Sequence, residues 1–166
     1  MRLERDTLVP EGLAPAIGFS HGIATRGGRI VWLAGQNGTD AEGRITAVGD
    51  LVAQTDQALA NLIAVVEAAG GTAGDIVKLH LWVRDVAAYR EGRRALGHVW
   101  RKHFGRYYPA MMLLGVSGFY DDEAEIEIDG YAVVADDTAE DPQADPAIDP
   151  ATPDADGTFT AGTDAT

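Results

Sequence analysis

The sequence contains no cysteine, which excludes disulfide staples, thiolate catalysis and thiolate metal sites together. Aromatic residues are sparse at 7%, and basic residues are half as numerous as acidic ones, 13 against 26, for a formal charge of −13. No run approaches the ~18 consecutive apolar residues of a spanning helix. Met1 to Pro10 is charged where a signal peptide would carry its apolar core. Only two serines occur, Ser20 and Ser117, and neither sits in a Gly-x-Ser-x-Gly elbow, so a serine hydrolase is not expected. Gly-x-Gly-x-x-Gly and phosphate-loop signatures are also missing, and no cofactor is expected. His21, His80, His98 and His103 lack the i, i+4 pairing and companion ligands of a zinc site, so no metal is expected. What remains is 166 residues at 46% hydrophobic, enough for one domain with a real core and consistent with a cytoplasmic protein away from membranes.

The acidity is concentrated at one end. Asp136 to Thr166 carries nine acidic residues, no basic ones and four of the seven prolines, with Ile148 and Phe159 its only large apolar side chains. Such a composition buries too little to offset the entropy of ordering, and residues 136–166 are expected to form a disordered, solubilising tail. Residues 1–135, the expected folded domain, then hold 17 acidic residues against 13 basic, a net of −4.

Within that domain, Ile17–Thr25 and Arg29–Ala34 flank Arg26-Gly27-Gly28, which predicts a β-hairpin. From Asp50, a candidate cap, apolar residues at Leu51, Val52, Ala58, Leu59, Leu62, Ile63, Val66 and Ala69 keep helical spacing until Gly70-Gly71. Residues 76–84 alternate, with Val77, Leu79, Leu81 and Val83 on one side and Lys78, His80, Trp82 and Arg84 on the other. A second helix follows over Val86–Phe104, with Arg90, Arg93, Arg94 and Arg101 on its outer arc. Ala110 to Val116 is an almost unbroken apolar run, predicting a strand covered on both faces. Residues 125–134 put Ile126, Ile128, Ala132 and Val134 on one face and Glu125, Glu127, Asp129 and Tyr131 on the other. The predicted order is β-β-α-β-α-β-β, an α+β fold with a mixed sheet and both helices on one face. The other face, with His80, Trp82 and three carboxylates, is too polar for a core and too aromatic for open solvent, so a partner subunit is expected to cover it.

Like charges along one strand face repel unless they are solvated, paired or used. Glu127, mid-strand, is the best placed of the three to act as a base toward water. The arginine arc is expected to be a solvated helix face, and nucleic acid is not the expected partner of a net-negative domain.

Taken together, the residues resemble the Rid family, also called YjgF or L-PSP endoribonuclease-like. The resemblance runs in one register through Gly18-Phe19-Ser20-His21, Leu33-Ala34-Gly35-Gln36, Gln54 to Leu62, Ala68-Ala69-Gly70, Asp75-Ile76-Val77-Lys78, Val83-Arg84-Asp85, Tyr108-Pro109-Ala110 and Glu125 to Ile128. It implies a chorismate-mutase-like α+β fold, a homotrimer, and ligand clefts between subunits. It also implies hydrolysis of enamines and imines such as 2-aminoacrylate to keto acids and ammonia. In the family a glutamate near the end of the last strand handles the attacking water, and this position falls on Glu127. An arginine after Pro-Ala grips the substrate carboxylate, and here that position is Met111, which offers no charge. The family's entrance tyrosine becomes Phe19, and its asparagine on the second helix falls on Arg93. The expected site therefore comprises Glu127 as the catalytic base with Phe19, Gly35, Trp82, Arg93, Met111 and Leu113 binding a small-molecule substrate. Backbone N–H groups near Gly35 and in the Met111 strand would steady developing charge. The apolar replacements favour a substrate without an α-carboxylate. A non-catalytic trimeric metabolite-binding protein and an endoribonuclease are the alternative readings.

Overall fold

In a computed structural model of the chain, residues 3–136 are described; the expected tail, 136–166, lies outside them but for Asp136. Two aspartates set where the helices begin. Asp50 accepts from the Ala53 N–H at 2.9 Å and starts α1 (Leu51–Ala68), while Asp85 accepts from the N–H groups of Ala87 and Ala88 and starts α2 (Val86–Phe104). Each satisfies donors that a helix N-terminus otherwise leaves unpaired. The helices lie over one face of a four-stranded mixed sheet made of β3 (Arg29–Gln36), β4 (Ile76–Val83), β5 (Ala110–Gly115) and β6 (Ile126–Val134), in the order β3-β6-β4-β5. Leu59, Leu62 and Val66 of α1 and Trp100 and Phe104 of α2 bury against Leu79, Leu81, Val83, Ile126 and Ile128. Each large side chain taken fully out of water there contributes roughly 1.5–3 kcal/mol.

The α+β class and the one-sided helix layer agree with the sequence pattern, and α2 spans the expected residues. Pairing differs. Gly27 and Gly28 do turn the chain, with φ of 77° and 75°, yet the strands they join do not pair with each other. β2 (Gly22–Arg26) pairs antiparallel with β1 (Glu4–Leu8), a strand the sequence pattern had not marked, while β3 pairs with β6 from Arg29↔Val134 onward. β1 has no apolar alternation to betray it; the Arg5 guanidinium anchors it instead, meeting Asp75 at 2.5 Å and the Gly74 carbonyl in the short 3-10 turn Ala73–Asp75. Among the described residues there are six strands, in the order β-β-β-α-β-α-β-β.

Two further expectations change. β5 is an edge strand, parallel to β4 and half-exposed, so only Met111 and Leu113 face the core, and Leu114 remains 50% exposed on the open side. In β4 an irregularity in the pairing between Ile76 and Lys78 brings Ile76, rather than Val77, into the core row with Leu79, Leu81 and Val83. No helix among the described residues is long and apolar enough to cross a membrane.

Candidate functional site

Glu125, just before β6, and Glu127 and Asp129 on one of its faces have three different fates. Asp129 is fully engaged, meeting His80 Nδ1 at 2.5 Å and accepting from Trp82 Nε1–H at 2.6 Å. Glu125 lies 3.9 Å from Arg84 Nε, and its backbone N–H donates to the buried Gln54 side chain. Glu127 lies between them and, among the described residues, its carboxylate takes part in no hydrogen bond or ion pair. Of the stacked charges, two are committed to structure and one is free.

Gly35 is what makes room for that free group. β3 and β6 pair at Leu33↔Gly130 and again at Gln36↔Ile128, so three steps along β3 match two along β6 and a bulge falls at Ala34-Gly35. A Cβ built on Gly35 would collide with Glu127 Oε1 and lie 2.8 Å from its Cδ. The glutamate therefore rests on bare glycine backbone, and any other residue at 35 would push it away. Trp82, directly opposite Glu127 in the ladder, forms with it and Phe119 a small open depression of about 270 Å³. Gln54 steadies the approach to β6: fully buried in α1, it donates to the carbonyls of Ala47 and Glu123 and accepts from Glu125 N–H.

The remaining expected residues collect elsewhere. Met111 and Leu113 pair with Leu79 and Leu81 and face the helices, on the side of the sheet opposite Glu127. With Phe19, Tyr89, Arg93 and Trp100 they line a cavity of about 520 Å³ between α2 and the β5 edge. The lip carrying Phe19 is fixed by Ser20, whose N–H donates to Pro109 O at 3.0 Å and whose hydroxyl donates to Tyr108 O at 2.7 Å. Arg93 is the one charged residue on the lining and is itself exposed at the rim. Burial pushes the Tyr89 phenol above its ordinary pKa, with the neighbouring Trp100 side chain pulling the other way, so it is a neutral donor near pH 7.

Within one chain, then, the expected residues form two groups. Glu127, Gly35 and Trp82 share the open face; Phe19, Arg93, Met111 and Leu113 share the cavity. Trp82 was expected at the site, but its partners His80 and Asp129, and the buried Gln54, were not. His80 and Asp129 do stand on the polar faces of strands that turn out to be neighbours, and that placement was the available signal. Among the described residues no group of three or more His, Asp or Glu is arranged to hold a metal ion.

Two helices on one face of a mixed sheet, with a cavity at its edge and a free glutamate on its open face, define an α+β protein. The profile described as "Endoribonuclease L-PSP" matches residues 10–134. The chain is 30% identical over 132 residues to "3-aminoacrylate deaminase RutC" of Acinetobacter baylyi, covering 80% of this chain and all of that one. It is 27% identical to "2-iminobutanoate/2-iminopropanoate deaminase" of Dermatophagoides farinae, covering 80% and 96% of the two chains. Among solved structures, a Rid-family protein of unknown function from Yersinia pestis superposes with a TM-score of 0.71 at 32% identity, over 78% of this chain and 98% of its own. The chain belongs to the endoribonuclease L-PSP family, the Rid or YjgF family of the sequence resemblance.

Proposed function

We propose that this protein is a Rid-type hydrolase that deaminates a small imine, enamine or related carbonyl-nitrogen compound lacking an α-carboxylate, in clefts between the subunits of a homotrimer. The observation that carries the reading is the free Glu127 carboxylate seated on Gly35. Glu127 takes a proton from water as the oxygen adds to the C=N carbon, and the proton passes to the nitrogen. The resulting carbinolamine collapses to a carbonyl and expels ammonia. An enamine enters the same sequence after protonation at carbon. Backbone N–H groups around the Gly35 bulge are suited to steady charge that develops on the added oxygen.

The named substrates of the two relatives, an aminoacrylate and iminoalkanoates, are carboxylates. Met111 offers such a group no charge-assisted partner, a loss worth roughly 1.5–3 kcal/mol. Met111, Leu113 and Phe19 instead present an apolar surface, which favours an uncharged substrate.

Glu127 and the cavity lie on opposite faces of the sheet in one chain, so the reading assigns them to different subunits of each cleft. Glu127→Gln should lower turnover by about 10²–10⁴-fold with the oligomer unchanged. Mixed trimers of Glu127→Gln and the cavity-blocking Met111→Trp, each inactive alone, should recover part of the activity, because some clefts then receive both native halves. Undiminished turnover in Glu127→Gln would remove the proposed base, and a failure of mixing to restore any activity would place the site within single chains.

A further inference from the structure

Gly97 occupies the interior of α2, where glycine is the poorest helix former after proline. Packing does not require it there, because a Cβ at this position meets nothing within 4 Å. Gly92, five residues earlier, differs: a Cβ there would touch Leu96 Cδ1 at 3.6 Å and Val52 Cγ2 at 3.8 Å. Gly97 borders the cavity, so the side chain it lacks is room added to that space.

The cavity's size and lining say what the room is for. At about 520 Å³ it falls within the ~300–1,000 Å³ of clefts that enclose drug-sized ligands, far more than a three-carbon enamine fills. Its lining includes Leu81, Met111, Leu113 and Trp100, and its single charged residue, Arg93, is exposed to solvent. A charged substituent pushed inside would lose its water and gain no ionic partner, so the group that enters is apolar.

Resting on the hydrolase reading above, we infer that this cavity receives a bulky apolar substituent, aryl or branched alkyl, of a neutral imine or enamine, and that Gly97 and Met111 set its depth. The substituent lies among Met111, Leu113 and Trp100, and the C=N unit stays toward the Phe19 lip, where water and the base can reach it.

Binding tests this without turnover. Benzylacetone, a stable neutral ketone of the product type, is titrated calorimetrically into the full-length protein, with acetone and benzylpyruvate as controls for size and charge. Benzylacetone should bind with a negative heat-capacity change. Acetone should bind at least about tenfold more weakly, and benzylpyruvate should show no advantage. Gly97→Leu should weaken benzylacetone by about tenfold or more, and Met111→Trp, which fills the same space from the sheet side, should do the same. Equal affinity for acetone, a clear preference for benzylpyruvate, or unchanged benzylacetone binding in a folded Gly97→Leu or Met111→Trp would each overturn the inference. Benzylacetone binding by a protein that hydrolyses no imine would retire the hydrolase reading and leave the pocket standing. Imine hydrolysis without benzylacetone binding would do the reverse.

Discussion

At the scale of single residues, the decisive pair is Glu127 and Gly35. The sequence pattern placed three carboxylates on one strand face and singled out the middle one by position. It carried no information on why that one stays free, because the groups that engage Asp129 come from β4 and the one beside the Glu125 carboxylate, Arg84, follows β4, all far away in the chain. Gly35 was expected at the site through the resemblance. Its physical role, a backbone surface on which the Glu127 side chain lies, became visible only with the β3–β6 register. Gly35→Ala should therefore act on Glu127 as a positioning change. We expect kcat to fall at least tenfold, and thermal stability to fall by about 1–3 kcal/mol from overpacking. A kcat that holds while the melting temperature drops would show that the cradle does not position the base.

At the scale of elements, the two helices were legible because capping and 3.6-residue spacing are local properties. Spacing and caps alone give α2 to its end residues and α1 to within one. The expected hairpin does not form, for a complementary reason. A pair of glycines reports that the chain turns, but not which strand pairs with which, and β2 and β3 each have a better partner elsewhere. The contact that ties the helices together was equally hidden: Asp56 of α1 meets His103 Nε2 at 2.6 Å and Lys102 Nζ at 2.7 Å on α2. Burial pushes the Asp56 carboxyl upward, but its bonds to Lys102 and His103 outweigh this and leave its pKa below the ordinary value. A carboxyl depressed in the folded state contributes stability that is complete above its unfolded pKa. That contribution disappears as pH falls through the lower folded pKa. Asp56→Asn should thus lower the melting temperature at neutral pH and shrink its difference from the wild type in strong acid. A constant difference across the acid range would contradict the assignment.

At the scale of the whole molecule, the open sheet face was anticipated from β4 and β6 alone, and β3 and β5 extend it. Trp32 is 73% exposed there, edge-on to Tyr131 with ring centroids 5.2 Å apart, and Leu114 continues the apolar area across the sheet. A tryptophan this exposed beside half-buried His80 and Tyr131 suits a face that packs on another copy of the chain. On the proposed homotrimer, Trp32→Glu should shift sedimentation toward monomer and abolish turnover, since each cleft draws on two subunits. A mutant that remains trimeric would move the interface elsewhere. The sequence could announce that this face needed cover. It could not announce that Glu127 and Met111 lie on opposite sides of the sheet, because β5 and β6, although consecutive in the chain, do not pair with each other, and only the ladder through β4 fixes which way each residue points.

The central claim is that a working catalytic base has been joined to a cleft without a carboxylate anchor. The most direct test measures keto-acid release from 2-aminoacrylate generated in situ, comparing the spontaneous rate, the wild-type protein and Met111→Arg. Little acceleration by the wild type and a gain of about tenfold or more in Met111→Arg are expected, as a charged two-pronged donor enters the cleft. Strong acceleration by the wild type with no gain in the variant would contradict the claim.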